Sequence, residues 1–199
     1  MSDFFTMANR LRPALLQGDL AACEREIAGE MQKLPPGPFH IAIDLSITSD
    51  PRAAAGHFDR FFDRESNRFQ IAAACTEMNG FDINPDRWFC DLFAYSADGG
   101  HDQYDWLSDW QSQRFEDFEI AGFEPLQEVY AGEARRDKQN RGARDLSSLI
   151  VVVKFQRFIQ QAAAHMKMLR FPLYATGHDF DFIASFDPRP ESARTPKGA

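Results

Sequence analysis

The sequence has few cysteines and no long apolar run. Its three cysteines, Cys23, Cys75 and Cys90, are widely spaced and lie within apolar segments. An odd number of such thiols argues against a disulfide framework or a zinc knot and is typical of a reducing compartment. The longest strictly aliphatic run is residues 149–153, whereas a helix that spans a bilayer needs about 20 apolar residues. Because residues 1–10 also lack a basic region followed by an apolar stretch, we expect a cytoplasmic protein with no membrane partner.

The well-specified catalytic and nucleotide-binding motifs are also missing. The chain contains no GxGxxG, GxxxxGK[ST], GxSxG, HExxH or CxxC pattern. Phosphate-binding loops, nucleophile elbows and the commonest zinc sites depend on those spacings. Their absence favours a non-catalytic function without a cofactor, although it does not exclude activity.

Positive charge is scarce and unevenly placed. The 199 residues include 22 Lys and Arg against 30 Asp and Glu, which gives a net charge of -8. Residues 77–133 contain 14 acidic and two basic residues, whereas residues 135–170 contain nine basic and two acidic ones. Nucleic acids and anionic membranes are bound by clustered positive charge, so we expect neither to be a partner. The acidic segment instead favours a basic protein.

Capping residues and helical periodicity predict helices at both ends of the chain. The first 34 residues fit two helices, the second of which Asp19 can cap. Asp50 and Pro51 begin a third helix, and Pro125 lies in the first turn of a fourth.

The segment 145–170 allows two interpretations. Its apolar stripe changes sides along the segment, so either one long helix is buried all round or residues 149–153 form a strand. Because no turn residue separates the two halves, we favour the long helix.

Alternating hydrophobicity predicts the strands. The clearest alternation is residues 39–47, where every odd residue is apolar and His40 and Asp44 lie on the polar face. Further strands are predicted at 69–75, 87–95, 115–120, 173–176 and 179–186. The connection between 75 and 87 is too short for a helical crossover, which predicts an antiparallel pair. The last two strands fit a hairpin around a type II′ turn at Gly177 and His178.

These patterns together predict a single α+β domain over residues 1–186. An antiparallel or mixed sheet of about five strands is covered by the N-terminal and C-terminal helices. With 19 phenylalanines in the sequence, aromatic side chains should fill much of the core. Residues 187–199, with three prolines among polar residues, are predicted to form a disordered tail.

The stretch from Gly100 to Glu119 combines aromatic residues with carboxylates. Exposed Trp and Tyr in acidic surroundings are typical of a protein-binding hot spot that faces a basic partner. The residues predicted to bind are Asp102, Tyr104, Asp105, Trp106, Asp109 and Trp110. Alternatively, Trp106 and Trp110 lie at i and i+4 on one face of a short helix and belong to the core.

Two His-Asp pairs give an alternative function. Imidazole and carboxylate are the ligands of hydrolytic Zn, Mn or Fe centres, and His101 and Asp102 can in principle meet His178 and Asp179. Both pairs also lie next to glycine in predicted turns, where Asp caps the backbone and His is solvated. We therefore favour a non-catalytic, immunity-like or inhibitor-like protein that docks a basic partner, with a metal-dependent hydrolase as the alternative.

Overall fold

Helices and strands follow one another in groups along the chain. The computed structural model describes residues 4–81, 83–84, 86–101 and 104–190. The α-helices are α1 (Phe4–Leu16), α2 (Leu20–Met31), α3 (Pro51–Ser66), α4 (Glu124–Ala131) and α5 (Arg141–Ala163). The strands are β1 (Ala73–Asn79), β2 (Phe89–Tyr95), β3 (Phe118–Glu119), β4 (Leu173–Gly177) and β5 (Ala184–Phe186). Shorter 3₁₀ helices lie at Pro38–Ile43, Asp105–Ser108, Glu133–Arg136 and Lys138–Asn140.

The strands form one mixed sheet in the order β3-β2-β1-β4-β5. β1 and β4 are parallel, and the other neighbouring strands are antiparallel. This architecture confirms the predicted α+β class and the predicted antiparallel pairing of β1 with β2. No described helix has both the length and the apolar composition that are needed to cross a bilayer.

The predicted helices are confirmed, and their caps explain where they begin. The Asp19 carboxylate accepts a hydrogen bond from the backbone N–H of Ala22 at 3.0 Å, and Asp50 caps α3 in the same way. The long helix, α5, runs from Arg141 to Ala163. The stretch 149–156 within it is buried on every side, which is why its apolar stripe changes faces.

α5 lies between the sheet and the N-terminal segment. On its sheet side, Gln156 Nε2 donates a hydrogen bond to the carbonyl oxygen of Ala175 in β4 at 3.0 Å. On the opposite side, Lys154 Nζ donates to the carbonyl oxygens of Ala42 and Ile43 at 2.8 Å each, and also to that of Leu45. A buried ammonium group that binds three carbonyl oxygens fixes residues 42–45 against the helix.

The predicted strand at 39–47 is wrong. Pro38–Ile43 forms a 3₁₀ helix, which an extended loop follows. Proline presets the helical φ at the first position, and the 3₁₀ period of three then buries both Phe39 and Ala42. His40 is structural, since its Nε2 lies 2.9 Å from the carbonyl oxygen of Met31.

The C-terminal hairpin is confirmed, but its predicted type II′ turn is wrong. β4 and β5 pair antiparallel across a loop that spans residues 178–183. The left-handed backbone lies at Asp179, with φ of 64°, and not at Gly177. Gly177 instead continues β4, where a Cβ atom would lie 2.8 Å from Val152 and 2.9 Å from the ring of Phe180. Glycine is needed there for close packing.

The two faces of the sheet are covered differently. The face towards α5 is part of the main apolar core and includes Ala74, Met78, Cys90, Leu92, Ala94, Leu173 and Ala175. On the other face, a smaller cluster around Tyr95 and Tyr174 is covered by Trp106 and Leu107. Further along that face the alternate residues of β1 are Glu77 and Asn79, those of β2 are Phe89, Asp91 and Phe93, and two cavities lie there.

Candidate functional site

Two cavities of about 510 Å³ each lie side by side on this second face of the sheet. They share Asp91, Phe93 and Trp110, and we call them together the acidic groove. The first cavity reaches towards β4, and the second towards β3. The carboxylates that line them are Glu77, Asp86, Asp91, Asp117, Asp179 and Asp181. Each volume falls in the range of ligand pockets, about 300–1,000 Å³.

The pleat of the sheet brings two of these carboxylates together. Glu77 of β1 lies directly opposite Asp91 of β2 in the antiparallel register. Because their neighbours Met78 and Cys90 point into the core, both carboxylates point into the groove. Like charges directly opposite one another destabilise a sheet. The pair is therefore a local cost to the fold.

Asp91 has an unusual protonation equilibrium. Burial, together with the neighbouring carboxylates of Asp117 and Glu77, raises its pKa from 3.8 to about 6. Asn79 Nδ2 donates a hydrogen bond to Asp91 Oδ2 at 2.7 Å and orients the carboxylate. Asp117, in turn, forms an ion pair with Arg87. Asp91 thus changes its charge close to neutral pH.

The loop after β4 contributes the opposite wall of the first cavity. His178 Nδ1 lies 3.1 Å from Glu77 Oε2, and its Nε2 lies 3.7 Å from Asp179 Oδ2. The left-handed backbone at Asp179 is one that Asp tolerates better than most residues. The second predicted His-Asp pair therefore faces the groove together with Glu77.

Trp110 supplies the aromatic wall that both cavities share. Its side chain is 51% exposed, and its ring centroid lies 5.2 Å from that of Phe93. The chain beside it is fixed to β2, because the N–H of Gln111 donates to the carbonyl oxygen of Ala94 at 3.0 Å. The N–H of Ala94 donates in return to Ser112 Oγ at 3.0 Å. These two hydrogen bonds fix the segment that carries the exposed Trp110 indole.

Trp106 and Trp110, both predicted to bind, have different environments. Trp106 packs edge-on against Tyr95 and Tyr174, at centroid distances of 4.8 and 5.2 Å, and its Nε1 donates to the carbonyl oxygen of Gly100 at 3.1 Å. Trp106 therefore fits the core interpretation, whereas Trp110 fits the surface one.

The remaining predicted binding residues differ in whether they line the groove. Tyr104 lines the first cavity together with Trp110. Asp105 and Asp109 are exposed on the same segment but do not line either cavity. Asp102 lies outside the described residues.

The first His-Asp pair lies elsewhere. His101 Nε2 lies 2.7 Å from Ser185 Oγ, and His101 Nδ1 lies 3.2 Å from the Tyr104 hydroxyl. His101 does not line the groove, unlike His178. In the part of the chain that the structure describes, no three His, Cys, Asp or Glu side chains are arranged to hold a metal ion. A metal site that includes Asp102 stays a prediction.

Sequence reasoning missed Glu77 and Asp91. The predicted strand at 69–75 ends before Glu77 and places it in the connection, whereas β1 runs from Ala73 to Asn79. The sequence of β2 does indicate the face of Asp91, since Cys90, Leu92 and Ala94 are apolar and residues 89, 91 and 93 lie on the other face. Extending β1 by four residues would have placed the two carboxylates opposite one another.

The cysteines are not candidates for catalysis. Cys23, Cys75 and Cys90 are all buried free thiols. Burial raises the pKa of each of them, so the reactive thiolate is disfavoured. This agrees with their position within apolar segments of the sequence.

Known proteins offer no guide to what this chain does. No family model, curated protein or solved structure matches it. The evidence for its function is therefore the chemistry of the acidic groove: crowded carboxylates, an exposed indole and an open, ligand-sized space.

Proposed function

We propose that this chain is a non-catalytic binding protein that docks a positively charged segment of a partner protein in the acidic groove. The observation that carries the proposal is the charge of the first cavity. Glu77, Asp91, Asp179 and Asp181 line it, and no lysine or arginine is among its described lining residues. A cationic ligand would relieve the repulsion among these carboxylates and would gain charge-assisted hydrogen bonds.

The shape of the groove favours a protein segment over a small ion. Two adjoining cavities with a shared aromatic wall offer an extended surface and not a closed cage. Trp110 is the kind of anchor that dominates protein interfaces, because an indole provides a large contact area at a small cost in conformational entropy. An inhibitor-like or immunity-like role, in which a basic protein is neutralised by docking, fits this surface.

Carboxylates inside and beside the groove would act at different stages of binding. Exposed carboxylates such as Asp105 and Asp109 attract a basic partner over distance and raise the association rate. Glu77 and Asp91 lie inside the groove and slow dissociation, because a bound cation is held there by direct hydrogen bonds. Affinity should therefore fall as salt increases.

Calorimetric titration with a short peptide of alternating arginine and serine tests the proposal. We expect binding at low salt that weakens at high salt, and a loss of about 30-fold or more when Glu77→Gln and Asp91→Asn are combined. The matched control is Glu26→Gln in α2, a carboxylate that pairs with Arg10 among the N-terminal helices and should leave affinity unchanged.

Two results would contradict the proposal. One is equal affinity of the peptide for the wild type and for the double variant. The other is equally tight binding of an aspartate-serine peptide of the same length, because the proposal requires positive charge on the ligand.

A further inference from the structure

The protein already binds one of its own arginines on this face of the sheet. The guanidinium carbon of Arg87 lies 4.3 Å from the ring centroid of Phe89, and the same side chain forms an ion pair with Asp117. Stacking on an aromatic ring together with a carboxylate contact is the combination that suits a planar guanidinium group. Phe89 and Asp117 both line the second cavity.

A second arginine stacks in the same way on a ring that lines this cavity, Phe115. The guanidinium carbon of Arg64 lies 4.6 Å from the ring centroid of Phe115. Arg64 Nε also donates a hydrogen bond to Glu65 Oε1 at 2.7 Å. Arg64 and Arg87 are thus each held between an aromatic ring and a carboxylate.

The next positions along β2 provide the same elements for a third guanidinium group. Asp91 and Phe93 follow Phe89 at intervals of two and share its face of the sheet. Glu77 adds a second carboxylate opposite Asp91, and Trp110 adds a second ring beside Phe93. No arginine or lysine of the described chain lines this cavity.

We propose that the first cavity is an arginine-recognition site: it takes a guanidinium group of the partner between the carboxylates of Glu77 and Asp91 and the rings of Phe93 and Trp110. This inference rests on the proposed function and names the side chain that the groove selects. The two carboxylates accept N–H groups of the guanidinium fork, and the aromatic rings contact its planar face.

The arrangement discriminates arginine from lysine. An ammonium group is a compact, strongly hydrated point charge that forms no planar, two-pronged contact with a carboxylate and does not stack on a ring as a plane does. A ligand with the shape of arginine but without its charge gains the ring contact and loses the charge-assisted hydrogen bonds. Citrulline, in which a neutral urea replaces the guanidinium group, is that ligand.

Titration with three single-residue probes tests the site. The probes are the N-acetyl amides of L-arginine, L-lysine and L-citrulline. Their binding is followed by the NMR signal of the Trp110 indole N–H, and this signal is assigned by its loss in Trp110→Phe. We expect the arginine probe to bind about tenfold more tightly than the lysine probe, and the citrulline probe to shift the signal least.

Two matched variants locate the effect. Asp91→Asn should abolish the preference for arginine, because it removes one of the two carboxylates that receive the fork. Asp86→Asn removes a carboxylate that lines only the second cavity and should leave the arginine affinity within about twofold, as expected for a change outside the contact.

The outcomes separate this inference from the proposed function. Equal binding of arginine and lysine, lost together in Asp91→Asn, would overturn arginine selectivity and leave cation docking intact. No binding by any probe would overturn the arginine site, and the peptide titration would then decide the proposed function by itself. Citrulline that binds as tightly as arginine would overturn both, because charge would then be irrelevant.

Discussion

The helical layer and the open face of the sheet, on which the acidic groove lies, differ in how they hold charge. Around α5 and α3, buried charges are matched: Lys154 donates to three backbone carbonyls, and the fully buried Glu65 pairs with Arg64 and Arg68. On the open face, Glu77 lies opposite Asp91, a carboxylate of the same sign. The first arrangement stabilises the fold, whereas the second opposes it.

Under the proposed function, this difference marks the side of the molecule where stability is lost in favour of binding. Folding alone would favour an opposite charge or an apolar residue across the strand from Glu77. Proteins depart from such local rules mainly at functional sites, where a ligand compensates for the cost. The acidic groove, and not the helical layer, is therefore where substitutions should separate stability from binding.

The largest effect is expected on the helical side, at Lys154. Lys154→Met should lower the free energy of unfolding by about 3 kcal/mol, because three carbonyls lose a charged donor and residues 42–45 lose their anchor. Denaturant titration followed by circular dichroism measures this. The exposed Lys167→Met is the control and should change stability by less than about 0.5 kcal/mol. Equal effects of the two substitutions would show that the buried ammonium group does not stabilise the fold.

The two tryptophans give the next largest contrast. Trp106→Ala should cost about 2 kcal/mol of stability, since it removes a half-buried ring and its hydrogen bond to Gly100. Trp110→Ala should cost less than about 1 kcal/mol, because half of this side chain is already in solvent. Thermal unfolding measures both costs.

Binding should rank the two tryptophans in the reverse order. Affinity for the arginine-serine peptide should fall further in Trp110→Ala than in Trp106→Ala, since only Trp110 lines the groove. A Trp110→Ala variant that binds as the wild type does would remove the indole from the proposed interface.

The helices could be predicted from the sequence because their signals are local. Asp19 and Asp50 cap helices within three residues of themselves, and Pro51 fits only a first turn. The alternation at 39–47 is equally local but misleading, since the 3₁₀ helix buries Ala42 and exposes Ile41. Lys154, more than a hundred residues away, also donates to three carbonyls of the segment, and no pattern within the segment contains that contact.

The site was less predictable because it depends on register and distant contacts. The sequence predicts an aromatic, acidic binding stretch that contains Trp110. That Trp106 lies in a different environment depends on its contact with Tyr174 in β4, which the sequence does not reveal. The Glu77 and Asp91 pair requires the exact alignment of β1 with β2. A shift of β1 by one residue would turn Glu77 to the other face and separate it from Asp91.

The one predicted gain in stability is at Asp91. The pKa of Asp91, about 6, lies above the ordinary value of 3.8. The folded protein therefore retains a proton that the unfolded chain loses as pH rises between these values. The free energy of unfolding falls over that interval. Asp91→Asn should therefore stabilise the protein by about 1 kcal/mol at neutral pH, after allowance for solvent screening. The gain should vanish below the ordinary value and should be absent in Asp105→Asn, as measured by unfolding at several pH values. A variant that gains stability while it loses peptide affinity would show directly that the crowded carboxylates are kept for binding, whereas a loss of stability would mean that Asp91 supports the fold.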